Sequence, residues 1–265
     1  MSDKNLIIDK RDNGIATITF NRAEIHNAFD DQFISELTRT VEVLDNDSNV
    51  RVIVLAANGK SFSAGADLNW MKRMAGYSWD QNYQDSLQLA SLMQTIYQCK
   101  KTTVALVQGA AFGGGVGLVA CCDIALSNES ALFCLSEVKL GLIPAVISPY
   151  VVKAMGERNA KRYFATAERF DANEANKVNL IHKVFSSDTF KEDCEDYLQK
   201  LIANGPNAVY QSKKLVNFVA NKPIDEELIR ETAQRIADIR ASKEGKEGVG
   251  AFLEKRPANW TKIEE

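Results

Sequence analysis

The sequence predicts an α/β fold in which a buried, largely parallel sheet is followed by an all-helical C-terminal region. Three short apolar runs, residues 52–55, 104–107 and 124–126, are bounded by Asn, Gly or Ser, as is typical of parallel strands covered on both faces. Helical patterns separate these runs, and strand signals end near residue 187. We therefore expect a core over residues 1–200 and a helical region over residues 201–265.

The N-terminal segment predicts a β-hairpin followed by an amphipathic helix. Residues 7–8 and 15–20 have strand character, and Asp12-Asn13-Gly14 between them matches hairpin turn chemistry. Asp30 can cap a helix, because the apolar residues after it repeat at the 3.6-residue period. These apolar residues are Phe33, Ile34, Leu37, Val41 and Leu44. The outer face carries mixed charge, so the helix offers no basic stripe for nucleic acid.

Longer helical patterns follow in the middle and at the end of the chain. Residues 79–99 predict one long helix, whose covered face would consist of Tyr83, Leu87, Ala90, Met93 and Tyr97. The C-terminal helical patterns span residues 197–202, 208–219, 224–239 and 247–253. Their apolar residues need a covering surface, either the chain's own core or another subunit. These residues are Leu228, Ile229, Ile236, Ile239, Val249, Phe252 and Leu253.

The composition is that of a compact globular protein. Of 265 residues, 45% are hydrophobic, 25% are charged and only 5 are Pro, which excludes collagen-like and largely disordered chains. A net charge of −3 gives no global attraction to nucleic acid or anionic membranes. The five cysteines lack metal-site spacing and are expected to be reduced packing residues. Without a secretory or transit pattern at the start, a cytoplasmic location is expected.

One segment imitates a membrane span. Residues 102–122 contain no charge, and Gly109, Gly113 and Gly117 repeat at the spacing of closely packed membrane helices. Gln108 and the three consecutive glycines at 113–115 instead favour a strand, a glycine turn and a buried helix. We expect no membrane association.

Several catalytic motifs are absent from the sequence. Residues 59–61 resemble the end of a phosphate-binding loop, but position 54 is Val where that loop needs Gly. Neither a dinucleotide-binding G-x-G-x-x-G nor a G-x-S-x-G nucleophile elbow occurs. The two histidines, His26 and His182, lie far apart in sequence, so a Ser-His triad or a zinc centre is not expected.

Two turns rich in small residues are the candidates for chemistry. Residues 61–67 follow the strand at 52–55, and residues 109–115 follow the strand at 104–107 and open a helix. Such turns can present free N–H groups to a ligand, and a helix N-terminus is electropositive. If the turns converge, two N–H groups can hold a carbonyl oxygen that gains charge in an enolate-like transition state. Tight turns without a ligand remain the alternative for each motif alone.

Five segments resemble the crotonase, or enoyl-CoA hydratase/isomerase, superfamily in order and spacing over nearly the whole chain. These segments are residues 21–28, 62–68, 109–115, 122–123 and 136–144. The resemblance implies a crotonase-like spiral of ββα units with a C-terminal helical trimerisation region, forming a homotrimer or a hexamer. It also implies an acyl-CoA thioester substrate that brings its own CoA, with no separate cofactor and no metal.

The resemblance assigns roles to individual positions. The N–H groups of Ala66 and Gly114 would be the oxyanion-hole donors, and Glu137 the acid-base residue. The adenine and pantetheine path would be lined by Ala64, Gly65, Ala66, Asp67 and Leu68, and the substrate pocket by Gly113, Gly117 and Pro144. Arg22 and Lys255 are candidates for the CoA phosphates, Lys255 from a neighbouring subunit, although both could be ordinary surface charges.

The chain departs from the superfamily pattern at Gly117. Many enoyl-CoA hydratases have one glutamate there and a second at the position of Glu137, and this chain keeps only Glu137. Residues 64–71, 113–120 and 142–149 are similar to bacterial 3-methylglutaconyl-CoA hydratases of leucine breakdown, where glycine is usual at this position. A hydratase of that kind is the first hypothesis. A Δ3,Δ2-enoyl-CoA isomerase and a non-catalytic acyl-CoA-binding protein remain open.

Overall fold

The computed structural model describes residues 4–261, which contain ten strands and eleven α-helices. The strands are β1 (Leu6–Lys10), β2 (Ile15–Phe20), β3 (Val52–Ala57), β4 (Ser61–Ser63), β5 (Thr102–Val107), β6 (Ala110–Phe112), β7 (Ile124–Asn128), β8 (Leu132–Cys134), β9 (Phe170–Asp171) and β10 (Lys183–Phe185). The helices are α1 (Asp31–Asn46), α2 (Leu68–Met74), α3 (Trp79–Gln98), α4 (Gly114–Cys121), α5 (Ser148–Met155), α6 (Glu157–Thr166), α7 (Ala172–Lys177), α8 (Phe190–Ile202), α9 (Pro206–Val219), α10 (Glu226–Ala241) and α11 (Lys243–Leu253).

Two sheets organise the core. The larger has the order β1-β2-β3-β5-β7-β10, with β1 antiparallel to β2 and every other pair parallel. The smaller has the order β4-β6-β8-β9, and only β9 is antiparallel to its neighbour. Successive pairs β3–β4, β5–β6 and β7–β8 each place one strand in each sheet. This repetition is the predicted spiral, and it brings the two small-residue turns onto neighbouring strands.

The N-terminal predictions are confirmed. β1 and β2 pair in register from Leu6 opposite Phe20 to Lys10 opposite Ala16, and Gly14 in the turn has a φ of +88°. The Asp30 side chain accepts a hydrogen bond from the Phe33 N–H at 2.9 Å and caps α1. All five predicted apolar residues of α1 are buried.

The predicted covered face of α3 is wrong in its first half. Tyr83 and Leu87 are 49% and 42% exposed, whereas the buried residues are Leu92, Met93 and Ile96. The buried residues of α3 all lie in its C-terminal half, so within residues 4–261 the apolar periodicity of the first half does not correspond to a buried face.

The helices from α8 onward divide into two groups. α8 covers the outer face of the large sheet, where Cys194 and Leu198 pack with Ile15, Val54 and Leu126. The expected boundary between residues 200 and 201 therefore falls within the last turn of α8. By contrast, no residue of α9 or α10 is buried in the described chain. α9 to α11 thus contribute little to the core of their own subunit.

The uncharged segment at 102–122 folds as β5, β6 and α4, as the strand, turn and helix interpretation predicts. Among residues 4–261, no helix is long and apolar enough to cross a membrane. The cysteines are free, buried thiols, and burial raises the pKa of Cys99 to about 12. These thiols therefore serve as packing groups.

Candidate active site

The first turn connects β4 to α2 through a glycine in the left-handed region. Gly65 has a φ of +89°, and its N–H donates to the Ser63 Oγ at 3.2 Å. Asp67 ends the turn as the N-cap of α2, and its carboxylate accepts from the N–H groups of Asn69 and Trp70 at 2.8 and 3.0 Å. The Asp67 carboxylate is thus engaged in capping.

A segment preceding α1 holds this turn from one side. The Phe29 N–H donates to the Gly65 carbonyl at 2.9 Å, and the Asp67 N–H donates to the Phe29 carbonyl at 3.0 Å. These bonds form a parallel bridge between Phe29 and Ala66. The Ala66 N–H itself donates to no acceptor among the described residues. Ala66 as a residue is half-buried.

The second turn connects β6 to α4 through Gly113, whose φ is +51°. The Gly113 N–H donates to the Cys134 carbonyl at 2.8 Å. Gly114 is the first residue of α4, and its N–H also donates to no acceptor within residues 4–261. A helix begins with N–H groups that lack intrahelical partners, so this end is electropositive.

The two turns meet, which the sequence left as a possibility. A Cβ built on Gly65 would lie 3.0 Å from the Phe112 carbonyl oxygen and 3.9 Å from the Gly114 nitrogen. The absence of a side chain at Gly65 permits this approach. Two unengaged N–H groups, from Ala66 and Gly114, therefore belong to turns that touch.

Glu137 lies against the second turn. It opens a short 3-10 helix, Glu137–Leu140, and its Oε1 is 3.2 Å from the point that a Cβ of Gly113 would occupy. Its Oε2 is buried and has no hydrogen-bond partner in the described chain. Burial raises the pKa of this carboxyl above its ordinary value of 4.5. A carboxyl group of raised pKa thus stands beside the converged turns.

The space beside Gly117 is filled. A Cβ on Gly117 would lie 2.8 Å from the Ile147 Cβ, closer still to the Ile147 Cγ2, and 3.2 Å from the Met93 Cε. Ile147 and Met93 are 2% and 0% exposed. Gly117 therefore faces packed apolar side chains in the interior, and a glutamate at this position would have to displace them.

The other predicted residues lie at differing distances from this centre. Ala64 and Leu68 are exposed at the edge of the first turn, whereas Pro144 is buried. The Arg22 side chain is 13% exposed and forms an ion pair with Asp30 at 2.8 Å. Lys255 is exposed beyond the end of α11, and none of its described contacts reaches the two turns. The structure thus brings together residues 64–68, 113–114 and Glu137.

Both histidines make structural contacts. The His26 Nδ1 lies 3.1 Å from the Ser61 Oγ, and the His182 Nδ1 accepts from the Ala125 N–H at 3.0 Å. Neither is near a metal-ligating cluster within residues 4–261.

Sequence reasoning missed the residues that support the first turn. The Asn27 side chain is fully buried and donates to the Asn58 and Ser61 carbonyls at 2.8 Å each. The Ser63 Oγ donates to the Asn27 carbonyl at 2.9 Å. Asn27 belongs to a segment that carries the family resemblance, but no local pattern reveals that its amide crosses to β4.

The ββα spiral of the two sheets is the fold of the crotonase class. The sequence profile of the enoyl-CoA hydratase/isomerase family matches residues 10–263. The chain belongs to this family and is an enoyl-CoA hydratase-type enzyme.

Solved structures and named relatives are similar to this chain over nearly its whole length. A structure from Legionella pneumophila that carries the family name crotonase is 53% identical, with a TM-score of 0.94, covering 98% of this chain and 100% of that one. An enoyl-CoA hydratase from Shewanella pealeana is 45% identical, with a TM-score of 0.93, covering 98% of this chain and 97% of that one. The short-chain-enoyl-CoA hydratase of Clostridium acetobutylicum is 29% identical, covering 97% of each chain.

Proposed function

We propose that the protein adds water across the α,β double bond of an enoyl-CoA thioester and forms a 3-hydroxyacyl-CoA. The observation that carries the proposal is the unpartnered Oε2 of Glu137 beside the unengaged N–H groups of Ala66 and Gly114. The names of several relatives support the same substrate class. CoA would enter as part of the substrate.

The two N–H groups would bind the thioester carbonyl oxygen. When water adds at C3, negative charge moves onto this oxygen, and fixed donors stabilise that charge more than they stabilise the ground state. The electropositive end of α4 adds to the effect at Gly114. Loss of one such donor typically costs about a hundred- to a thousandfold in rate.

Glu137 would move the proton. Its carboxylate accepts a proton from water while the water oxygen bonds to C3, and the protonated carboxyl then donates that proton to C2. The sum is addition of one H and one OH to the double bond. A raised pKa suits a group that must both accept and donate a proton, because it brings the pKa of Glu137 closer to neutral pH.

A second candidate function is isomerisation of an enoyl-CoA double bond. The filled space beside Gly117 favours it, because only Glu137 remains to hold a water molecule. A relative from Dictyostelium discoideum, 30% identical over 264 residues, is named a Delta(3,5)-Delta(2,4)-dienoyl-CoA isomerase. In that reaction Glu137 would remove a proton from one carbon and return it to another, and no oxygen from water would enter.

The substrate proposed is 3-methylglutaconyl-CoA, an intermediate of leucine catabolism. The support is the resemblance of residues 64–71, 113–120 and 142–149 to hydratases that act on this ester, together with Gly117. The test compares kcat/KM for 3-methylglutaconyl-CoA, 3-methylcrotonyl-CoA and crotonyl-CoA. The reaction is monitored through the loss of absorbance of the conjugated thioester. We expect the first ester to have the highest value. A higher value for crotonyl-CoA would contradict the substrate proposal.

The CoA path would run along the exposed edge of the first turn, at Ala64 and Leu68. Arg22 is already neutralised by Asp30, so it is the weaker phosphate ligand of the two candidates. Among residues 4–261, no contact of Lys255 involves residues 64–68, 113–114 or Glu137, and its proposed role is therefore on the site of a neighbouring subunit.

Assembly as a homotrimer, or as a hexamer of two trimers, is proposed from the exposed apolar surface of the C-terminal helices. Large apolar side chains of the C-terminal helices are exposed in the single chain, including Ile229 at 57%, Val249 at 58%, Phe252 at 82% and Leu253 at 73%. Exposed apolar surface of this extent is characteristic of an interface between subunits. Residues 201–265 would then be the oligomerisation region.

A further inference from the structure

We infer that Phe29 is a positioning residue that fixes both oxyanion-hole donors at once, one through its backbone and the other through its ring. The inference rests on the proposed function, since it concerns the same two N–H groups. Phe29 is 2% exposed and contacts both turns, the first through its backbone and the second through its ring.

The backbone of Phe29 orients the Ala66 N–H. In a parallel bridge, one residue bonds to the two neighbours of its partner, so the partner's own N–H points to the opposite side. Phe29 bonds in this way to Gly65 and Asp67, at 2.9 and 3.0 Å. The Ala66 N–H is therefore directed away from the Phe29 backbone.

The ring of Phe29 sets the position of Gly114. A Cβ on Gly114 would lie 3.2 Å from the Phe29 Cε2, 3.4 Å from its Cε1 and closer still to its Cζ. The φ of Gly114 is not in the left-handed region, so alanine is excluded here by the ring and not by the backbone. The start of α4 thus rests on the ring edge.

The ring is itself held on two sides. It stacks on Phe33 with ring centroids 6.4 Å apart and packs at an angle of 53° against Trp70, with centroids 6.3 Å apart. The Trp70 indole N–H donates to the Asp85 carboxylate at 3.1 Å. Trp70 belongs to α2, which begins at the end of the first turn. The ring of Phe29 is therefore a fixed spacer between the two turns.

The first experiment measures carbonyl polarisation with a probe that cannot be hydrated. Butyryl-CoA labelled with ¹³C at the thioester carbonyl is bound to the full-length protein, and the carbonyl stretch is followed by isotope-edited infrared spectroscopy. Phe29→Leu should return the stretch towards its value in solution. It should also lower kcat about 10- to 100-fold and leave KM within about threefold, because a small displacement of a catalytic group lowers the rate by about this factor.

The matched control is Phe20→Leu, the same substitution at a fully buried ring that packs on Phe33 and Phe62. It should leave the carbonyl stretch at the frequency found with the parent protein, and kcat within about twofold of the parent value. If the parent protein itself does not shift the stretch, the proposed oxyanion hole fails, and this inference fails with it. If the parent shifts the stretch and Phe29→Leu does so equally, only this inference is overturned.

A double-mutant cycle gives the second experiment. Gly114→Ala alone should lower kcat at least about a hundredfold, because its Cβ meets the Phe29 ring and displaces one donor. In the Phe29→Leu protein the same change should cost less than about tenfold, since the ring edge is gone. Equal costs in both backgrounds would overturn the inference. Phe29→Met replaces Phe29→Leu throughout if the leucine variant does not fold, with the same expected outcomes.

Discussion

Gly117 offers a quantitative test of the single-carboxylate site. Gly117→Ala places a Cβ within 3.0 Å of the Ile147 Cβ and closer to its Cγ2, in an interior where Ile147 is 2% exposed. Overpacking of this kind costs about 1–3 kcal/mol, and about 1 kcal/mol is regained because alanine is the better helix former. We expect a net loss of up to about 2 kcal/mol in the free energy of unfolding.

The cycle with Ile147→Ala isolates this contact. In that background Gly117→Ala should be neutral or stabilising, because its Cβ fills part of the space that the Ile147 side chain leaves. The control is Gly76→Ala, whose Cβ would lie 3.6 Å from the Arg73 carbonyl oxygen, an ordinary contact. It should change stability by less than about 0.5 kcal/mol. Urea unfolding at one fixed protein concentration measures all four variants.

Gly117→Glu extends the test from stability to activity. Its carboxylate would be placed among Ile147 and Met93, where burial penalises the charge. We expect a larger loss of stability than for Gly117→Ala and no gain in hydration of crotonyl-CoA. A stable Gly117→Glu protein that hydrates crotonyl-CoA faster than its parent would refute the reasoning, because the space would then accept a second catalytic carboxylate.

Four further predictions concern Glu137 and the assembly. Glu137→Gln should lower kcat by about a hundred- to ten-thousandfold with CoA-ester binding near normal, and retention of more than about a tenth of the rate in a steady-state assay would remove Glu137 from its role. Because burial raises the pKa of Glu137, the acid-side decline of kcat/KM should have its midpoint above pH 4.5 in a pH–rate profile. The same shift affects stability: the stabilising contribution of the protonated carboxyl should be lost as pH rises through the folded-state pKa. Glu137→Gln should therefore raise the melting temperature at pH 7 and not at pH 4, and an equal change at both would contradict burial as the cause. Truncation after residue 204 should give aggregated or monomeric, inactive protein while the full chain sediments as a trimer or hexamer, and an active full-length monomer in analytical ultracentrifugation would exclude an intersubunit role for Lys255.

Local sequence patterns predicted the elements whose structure depends on neighbours in the chain. The cap at Asp30 and the five buried residues of α1 follow from spacing alone. The convergence of the two turns was also predictable, because parallel strands of neighbouring units end at the same edge. By contrast, the first half of α3 has the same periodicity as a buried face, yet Tyr83 and Leu87 are exposed when residues 4–261 are considered.

The details of the site depended on contacts between distant segments. Ile147 beside Gly117 and the ring of Phe29 against Gly114 are separated widely in sequence, and glycine alone does not reveal which side chain it accommodates. The position of Glu137 was predicted through the family resemblance, but its burial and unpartnered Oε2 depend on how its short 3-10 helix packs on Gly113.

Incorporation of oxygen from water tests the central claim most directly. The protein is incubated with 3-methylglutaconyl-CoA and, separately, crotonyl-CoA in H₂¹⁸O, and the CoA esters are analysed by mass spectrometry. The account predicts one ¹⁸O atom at C3 of the product, at a rate that Glu137→Gln lowers by at least about a hundredfold. A double bond that migrates without any ¹⁸O entering the ester would contradict hydration and establish the isomerase reaction instead.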